Sequence, residues 1–421
     1  MEIKYMKWTA GIALMILGVV GLGCSLLAED APVVEQKAAS TEGKWNIEGD
    51  GPHLIAHYMA WFEAYGESGE GAKTWRHWRW DGSGSKRNPE KVDQDGRREI
   101  SSVYYPLIGP YNSRDRAVVR YHMRTAKAAG VSAFVVIWYG KDTPDSDALM
   151  PMLLKEAAKV GLKIAVCYEE KINWQPYRQP TSRSEIVKTA TEDLNYLLNT
   201  YGGHDAYLKR DGKPFVMQFN YWGEDDLGPR QIMAAEWQQI YEGLDKNIYF
   251  CRQNMDRPDV HPPVQSAFMW FKPNKAEWAN DFKYFGATAR KLEAEKKLDF
   301  FMTVLCPGFD TTNVNGWGGG PRVLERNGTD VLEFSMEHAL TGNPELIQIM
   351  TWNDWEEGTA IEPSREFGFD YIDTIETWWG KVSGRPVDLE DNKDGLRELI
   401  EESSAFQKKE MQKGLDRIGI K

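Results

Sequence analysis

The sequence predicts an α/β fold: a single (β/α)8 TIM barrel with a long loop after strand 1 and an extra C-terminal helix. Three observations carry this. Eight short apolar, β-rich runs recur along the chain, at 54–61, 131–139, 163–169, 214–220, 247–254, 266–271, 300–306 and 346–353. Amphipathic segments of helical period lie between several of them, and strand alternating with helix argues for a parallel sheet with crossovers. The chain has 421 residues, enough for one barrel with insertions. An open doubly wound sheet is the rival, but no Gly-rich phosphate turn follows the first run.

The elements follow in order. Lys4 and Lys7 precede an apolar run from Trp8 to Gly23, and small residues and acids come next, which is the pattern of a signal peptide over 1–28. That run has 16 residues, short of the roughly 20 a membrane span needs. Two exits are open. Leu22-Gly-Cys24 is similar to a bacterial lipoprotein box, which would place a lipid on Cys24, and the other exit is cleavage after Ala28. Residues 29–46 read as a polar linker, 47–385 as the barrel, and 386–421 as a helical segment packed on it, with its helix over 392–414. The expected location is outside the cytoplasm: periplasmic, on the outer membrane, or extracellular.

Helices are expected at 116–129, 148–160, 184–200, 231–244 and 276–297, and the first three run into Gly130, Gly161 and Gly202, the usual stop signal. Runs five and six are separated by a loop holding Pro258, Pro262 and Pro263, not by a helix. The segment 63–111, rich in Gly, Trp and charge, is the long insertion that would shape the mouth of the barrel. Beyond residue 28 three cysteines remain, Cys167, Cys251 and Cys306, all in strand-like runs and expected as buried free thiols.

Composition narrows the function. Net charge is -12, with 63 acids against 51 bases, so a partner that tracks nucleic-acid phosphates is not expected. There are 17 Trp and 18 Tyr, a supply of rings suited to stacking on sugars. Barrel enzymes place their chemistry at the C-terminal ends of the strands. Here those ends bring Glu169, Trp138, Tyr139, Tyr221, Trp222, Arg252, Trp270 and Asp310, with Arg326 further on. The eighth run leads into Asn353, Asp354, Trp355, Glu356 and Glu357, with Glu362 close behind. Paired acids among aromatics suit glycoside hydrolysis, in which one carboxyl protonates the leaving oxygen and another acts as base or nucleophile. No metal and no cofactor are expected. His53 and His57, four apart on a strand, would stand about 13 Å apart.

Several segments carry a resemblance. Tyr105-Pro-Leu-Ile-Gly-Pro-Tyr-Asn-Ser-Arg-Asp115, Ala129-Gly-Val-Ser-Ala-Phe-Val-Val-Ile-Trp138, Pro307-Gly-Phe-Asp310 with Arg326-Asn-Gly328, and above all Trp352-Asn-Asp-Trp-Glu-Glu-Gly-Thr-Ala-Ile-Glu-Pro363 resemble glycoside hydrolase family 99, the endo-α-mannosidases and endo-α-mannanases. The stretch Thr351-Trp-Asn-Asp-Trp-Glu-Glu357 is also similar to family 71, the α-1,3-glucanases. The resemblance implies Glu357 as general acid, its acidity weakened by surrounding Trp, and Asp354 as the second carboxylate, where family 99 has Glu. It implies Glu169 near the cleaved bond, although Glu170 and Lys171 replace that family's Pro-Tyr. Trp138, Tyr139, Tyr221, Trp222, Arg252, Trp270, Asp310, Arg326, Asn353 and Trp355 are the candidate sugar contacts. The expectation is an exported hydrolase of α-linked polysaccharide or glycan. The alternatives are an α-1,3-glucanase-like hydrolase and a non-catalytic glycan-binding lipoprotein.

Overall fold

A computed structural model describes residues 43–64, 75–79, 87–169, 182–219, 232–253, 265–271 and 275–419. In chain order these hold β1 (His53–Tyr58), α1 (Arg116–Ala128), β2 (Val131–Trp138), α2 (Met150–Val160), β3 (Lys163–Glu169), α3 (Arg183–Thr200) and the short β4 (Lys209–Arg210). Then come β5 (Lys213–Phe219), α4 (Ala234–Glu242), β6 (Tyr249–Gln253), β7 (Ser266–Phe268), α5 (Lys275–Ala294), β8 (Phe300–Leu305), and the hairpin of β9 (Phe309–Asp310) and β10 (Val323–Leu324). The chain closes with α6 (Asp330–Ala339), β11 (Leu346–Ile349), α7 (Asp370–Ser383), α8 (Asp394–Glu402) and α9 (Ala405–Ile418).

β3, β2, β1, β11, β8, β7, β6 and β5 pair in that order, all parallel, and β3 also pairs with β5, which closes the barrel. These eight strands fall on the eight predicted runs. Three ladders stop early, β1 at Tyr58, β7 at Phe268 and β11 at Ile349, against expected ends at Trp61, Phe271 and Asn353. Past Ile349 the pairing becomes irregular: Met350 N–H still donates to Leu305 O and Trp352 N–H to His57 O, but Thr351 N–H turns to Thr359 O within the following loop.

Period-two alternation sorts the side chains. Ile55, Val135, Cys167 and Met217 pack inside the barrel, where Cys251 Sγ reaches Met302 Sδ at 3.6 Å. Tyr58, Phe134, Val166 and Phe250 pack toward the helices. Local signals set the helix ends. Asp115 Oδ1 accepts from Ala117 N–H at 2.9 Å and Ser182 Oγ from Glu185 N–H at 3.2 Å, each satisfying an orphan donor of the first turn. Cys167, Cys251 and Cys306 are free and buried, as expected.

The C-terminal segment is two helices, not one. Ser403 takes an extended ψ after α8, and Ser404 Oγ accepts from Gln407 N–H at 3.1 Å to begin α9. α9 docks on the insertion after β1. Arg98 makes a two-pronged contact with Glu410, 3.0 and 2.8 Å, and Gly414 lies so close to Leu107 that a Cβ would stand 2.3 Å from its carbonyl oxygen.

The opposite end of the barrel is plugged. Trp45 sets its ring edge-on to Phe215 and Phe300, both at 5.2 Å, and its Nε1 donates to Glu345 at 3.0 Å. Arg210 joins the plug through Glu345 and Tyr249. Trp45→Ala is expected to lower folding stability by about 3–5 kcal/mol, read as a fall in the denaturant or thermal midpoint.

Candidate active site

The site is built on the turn that follows β11. Its shape comes from its own side chains. Thr351 Oγ1 accepts from Asp354 N–H at 2.7 Å, and Thr359 N–H returns to Asp354 O at 3.1 Å, so residues 351–359 close into a compact loop. Asn353 then staples that loop to the chain leaving β1. Its Oδ1 accepts from Met59 N–H at 2.8 Å and its Nδ2 donates to Met59 O at 2.9 Å.

Behind the staple stands the Tyr111 hydroxyl. It accepts from Asn353 Nδ2 at 3.1 Å and from Trp355 Nε1 at 3.2 Å, and it donates to Glu362 Oε2 at 2.7 Å. Trp355 Nε1 also reaches Glu362 Oε2, at 3.2 Å. His122 Nε2 lies 3.2 Å from Glu362 Oε1, and Tyr58 closes the cluster at 3.0 Å from His122 Nδ1. All these groups are buried. Burial and the neighbouring Glu362 push the Tyr111 phenol far above its ordinary range, so it stays a donor.

From the other side Arg326 donates through Nη2 to the carbonyls of Gly358 and Ala360, at 2.9 and 2.6 Å. Gly358 sits at φ +61°, and a Cβ there would meet Asp310 N at 2.9 Å, so this approach needs glycine. Asp310 N–H donates to Glu357 O at 2.8 Å, which joins the loop after β8 to the loop after β11.

So held, the loop concentrates acids. Asp354 is 4% exposed, and its Oδ1 accepts from Glu357 N–H at 3.0 Å. Burial, then the charges of Glu357 and Glu356 and that of Glu169 at the end of β3, hold the Asp354 carboxyl well above the usual carboxylate range. Glu169 continues the inward alternation of Ala165 and Cys167, which brings it to this mouth. Trp270 also lies in the inward layer, edge-on to His57 at 5.4 Å and to Phe219 at 5.0 Å, with His57 pushed down to about 3 by burial and therefore neutral. Trp61 stacks parallel to Tyr139 at 6.4 Å.

The fold therefore brings together Asp354, Glu357, Glu169, Asp310, Tyr139 and Trp270. Other expected sugar contacts are placed elsewhere. Trp138 is wholly buried, with its Nε1 on Asp147 at 3.3 Å, because its position on β2 points to the helices. Arg252 shares the β6 face of Phe250, which packs on Trp237 of α4. Arg326 is 3% exposed; its guanidinium lies over Tyr104 and Tyr371, and it holds the loop from behind. Asn353 and Trp355 face the staple and the Tyr111 cluster, because the loop turns their side chains inward. Tyr221 and Trp222 lie outside the described residues. Sequence reasoning missed Tyr111 and His122 as parts of the site. Tyr111 lies in the 105–115 segment, but nothing in that segment's sequence says that its hydroxyl faces residues 353 and 362.

The model of glycosyl hydrolase family 99 matches residues 50–375. The human glycoprotein endo-alpha-1,2-mannosidase-like protein is 25% identical over 338 residues, 73% of this chain and 68% of its own length. The glycoprotein endo-alpha-1,2-mannosidase of Mus musculus is 26% identical over 348 residues, 76% of this chain and 70% of its own. Among solved structures, the GH99 endo-alpha-mannosidase from Bacteroides thetaiotaomicron matches with a TM-score of 0.59 at 22% identity, over 78% of this chain and 97% of that one, a likeness of fold.

Two outcomes follow from the geometry. Tyr111→Phe leaves two buried donors and a carboxylate short of a partner, and is expected to cost about 1–3 kcal/mol in denaturant unfolding. A carboxyl whose folded-state pKa is raised favours folding only while protonated, and that stability is lost as pH rises through the raised value. Asp354→Asn keeps the acceptor without the charge, so it should be more stable than the wild type at neutral pH. The two should converge in acid, and unfolding curves at both pH values check it.

Proposed function

The chain belongs to glycosyl hydrolase family 99, and we propose that it is an exported enzyme that cleaves α-mannosidic bonds within a polysaccharide or glycan. Asp354 is the base and Glu357 the general acid. The observation that carries this reading is the buried Asp354 carboxyl, held within one turn of the half-buried Glu357. A carboxyl pushed up by burial is a stronger base than a solvated one, and closer in strength to what proton abstraction near neutral pH needs. In this reading Asp354 takes the proton of the sugar's own 2-hydroxyl, whose oxygen closes on the anomeric carbon as the glycosidic bond breaks. Glu357 protonates the departing oxygen. Water then opens the anhydro ring at the anomeric carbon: Glu357 now acts as base toward the water, Asp354 returns its proton to the 2-oxygen as the C1–O2 bond breaks, and the product keeps the configuration of the substrate. Glu169 binds a hydroxyl near the cleaved bond, and Trp270, Tyr139 and Asp310 line the sugar's path.

The mannoside preference is supported by the names of the relatives, and Asp354 is the residue that favours a second reading. Family 71 α-1,3-glucanases carry Asp at the matching place, as the sequence motif implies. The N-terminal segment supports export, and Cys24 is proposed as the lipid attachment point.

Residues 29–421 incubated with α-mannans and α-1,3-glucans test both readings through new reducing ends. Release from mannan is expected, with Asp354→Asn and Glu357→Gln each lowering turnover by about 10²–10⁴. The acid limb of kcat/KM should lie above the ordinary aspartate range, because the base acts only when ionised. Release from glucan alone would move the substrate to the second reading. Binding without turnover would make the chain a glycan-binding protein.

A further inference from the structure

The loop that carries Asp354 and Glu357 also carries Glu356, and Glu356 is only 1% exposed. A buried carboxylate beside two others raises the energy of all three unless a cation or strong donors meet it. One group that meets Glu356 comes from the insertion after β1. His77 Nδ1 stands 2.8 Å from Glu356 Oε2. Three further features show that this contact is built. His77 takes φ +61°, a left-handed backbone that a side-chain-bearing residue rarely adopts. Its ring lies flat on Trp61, centroids 4.5 Å apart and planes 12° apart. Trp61 in turn stacks on Tyr139. The imidazole is thus fixed in plane and direction, with about a fifth of the side chain, 22%, open to solvent.

We infer that His77 is a positioning residue: it seats Glu356 and, in its protonated form, sets a positive charge against the crowded carboxylates of the candidate catalytic turn. The inference rests on the assignment of Asp354 as the base. Among the described residues, Asp354 and Glu357 lie on the same loop, Glu169 from β3 acts on the same Asp354 carboxyl, and Asp310 from β9 donates its N–H to Glu357 O. On the insertion itself Arg76 is held by Asp145, and Glu63 stands 4.0 Å from Arg114. With His77 protonated, Glu356 repels the Asp354 carboxylate less, and Asp354 ionises at lower pH. The insertion after β1 then does more than wall the cleft: it sets how acidic a medium the enzyme tolerates.

Two single variants and their double, in the mature chain with a glycan that the wild type turns over, test this through the acid limb of kcat/KM. His77→Gln keeps a donor and loses the charge, so the limb should move up by about half a unit to one unit. Glu356→Gln removes the repelling carboxylate, so the limb should move down. The double variant should return toward the wild type. Opposite shifts that cancel are the mark of a charge effect, since a loosened loop would lower kcat in all three without that pattern. An unmoved limb in His77→Gln, or shifts of the same sign, overturns the inference. A second readout needs no turnover: by NMR the His77 ring should titrate at lower pH in Glu356→Gln than in the wild type, and equal titration also overturns it. The base assignment fails separately, through turnover that survives Asp354→Asn.

Discussion

The Asn353 amide governs the catalytic end of this molecule. Its two bonds to Met59 fix the turn after β11 against the strand beside it in the barrel. Amide to backbone, paired both ways, leaves one orientation for the residue and for the Asp354 that follows. The Tyr111 hydroxyl locks the far side by touching Asn353, Trp355 and Glu362 at once. The bonds inside the loop, from Asp354 N–H to Thr351 and from Glu357 N–H to the Asp354 carboxylate, shape the turn, and the staple fixes that turn against the chain leaving β1.

That rigidity matters because the turn is electrostatically unfavourable. Asp354, Glu356 and Glu357 crowd one loop, with Glu169 opposite, and burial withholds the water that would screen them. The structure sets the loop between fixed donors on every side. Arg326 Nη2 donates to the carbonyls of Gly358 and Ala360. His77 approaches from the front, on Glu356. The same arrangement that weakens the acidity of Asp354 suits it to the proposed role of base, at a cost in stability that the Tyr111 cluster and the closed barrel offset.

The barrel was legible because its signals are periodic and local. Alternating apolar residues, helix-length gaps and glycines after helices each report on a few neighbours, and all eight runs became barrel strands. The acids at the eighth exit were legible for a similar reason: four of them lie within nine residues. What failed was direction. Trp138 and Tyr139 are neighbours at one strand end, yet one faces the helices and the other the mouth. Arg326 sits in a motif beside the site and serves it from behind, because its guanidinium finds carbonyls and rings there. The break at Ser403 and Ser404 was hidden inside a continuous helical pattern, since a serine that caps a helix looks like one that rides on it.

Read alone, the chain determined the class of fold, and it supplied the strand ends and the two carboxylates proposed to perform the chemistry, because each of these depends on spacing along a strand or a turn. Tertiary structure decided which side chains support and which confront a substrate. Tyr111 meets residues more than 240 positions away, and His77 meets Glu356 across 279. Such contacts are made by the closure of the barrel, which brings the end of β1 beside the end of β11, and no local pattern encodes them.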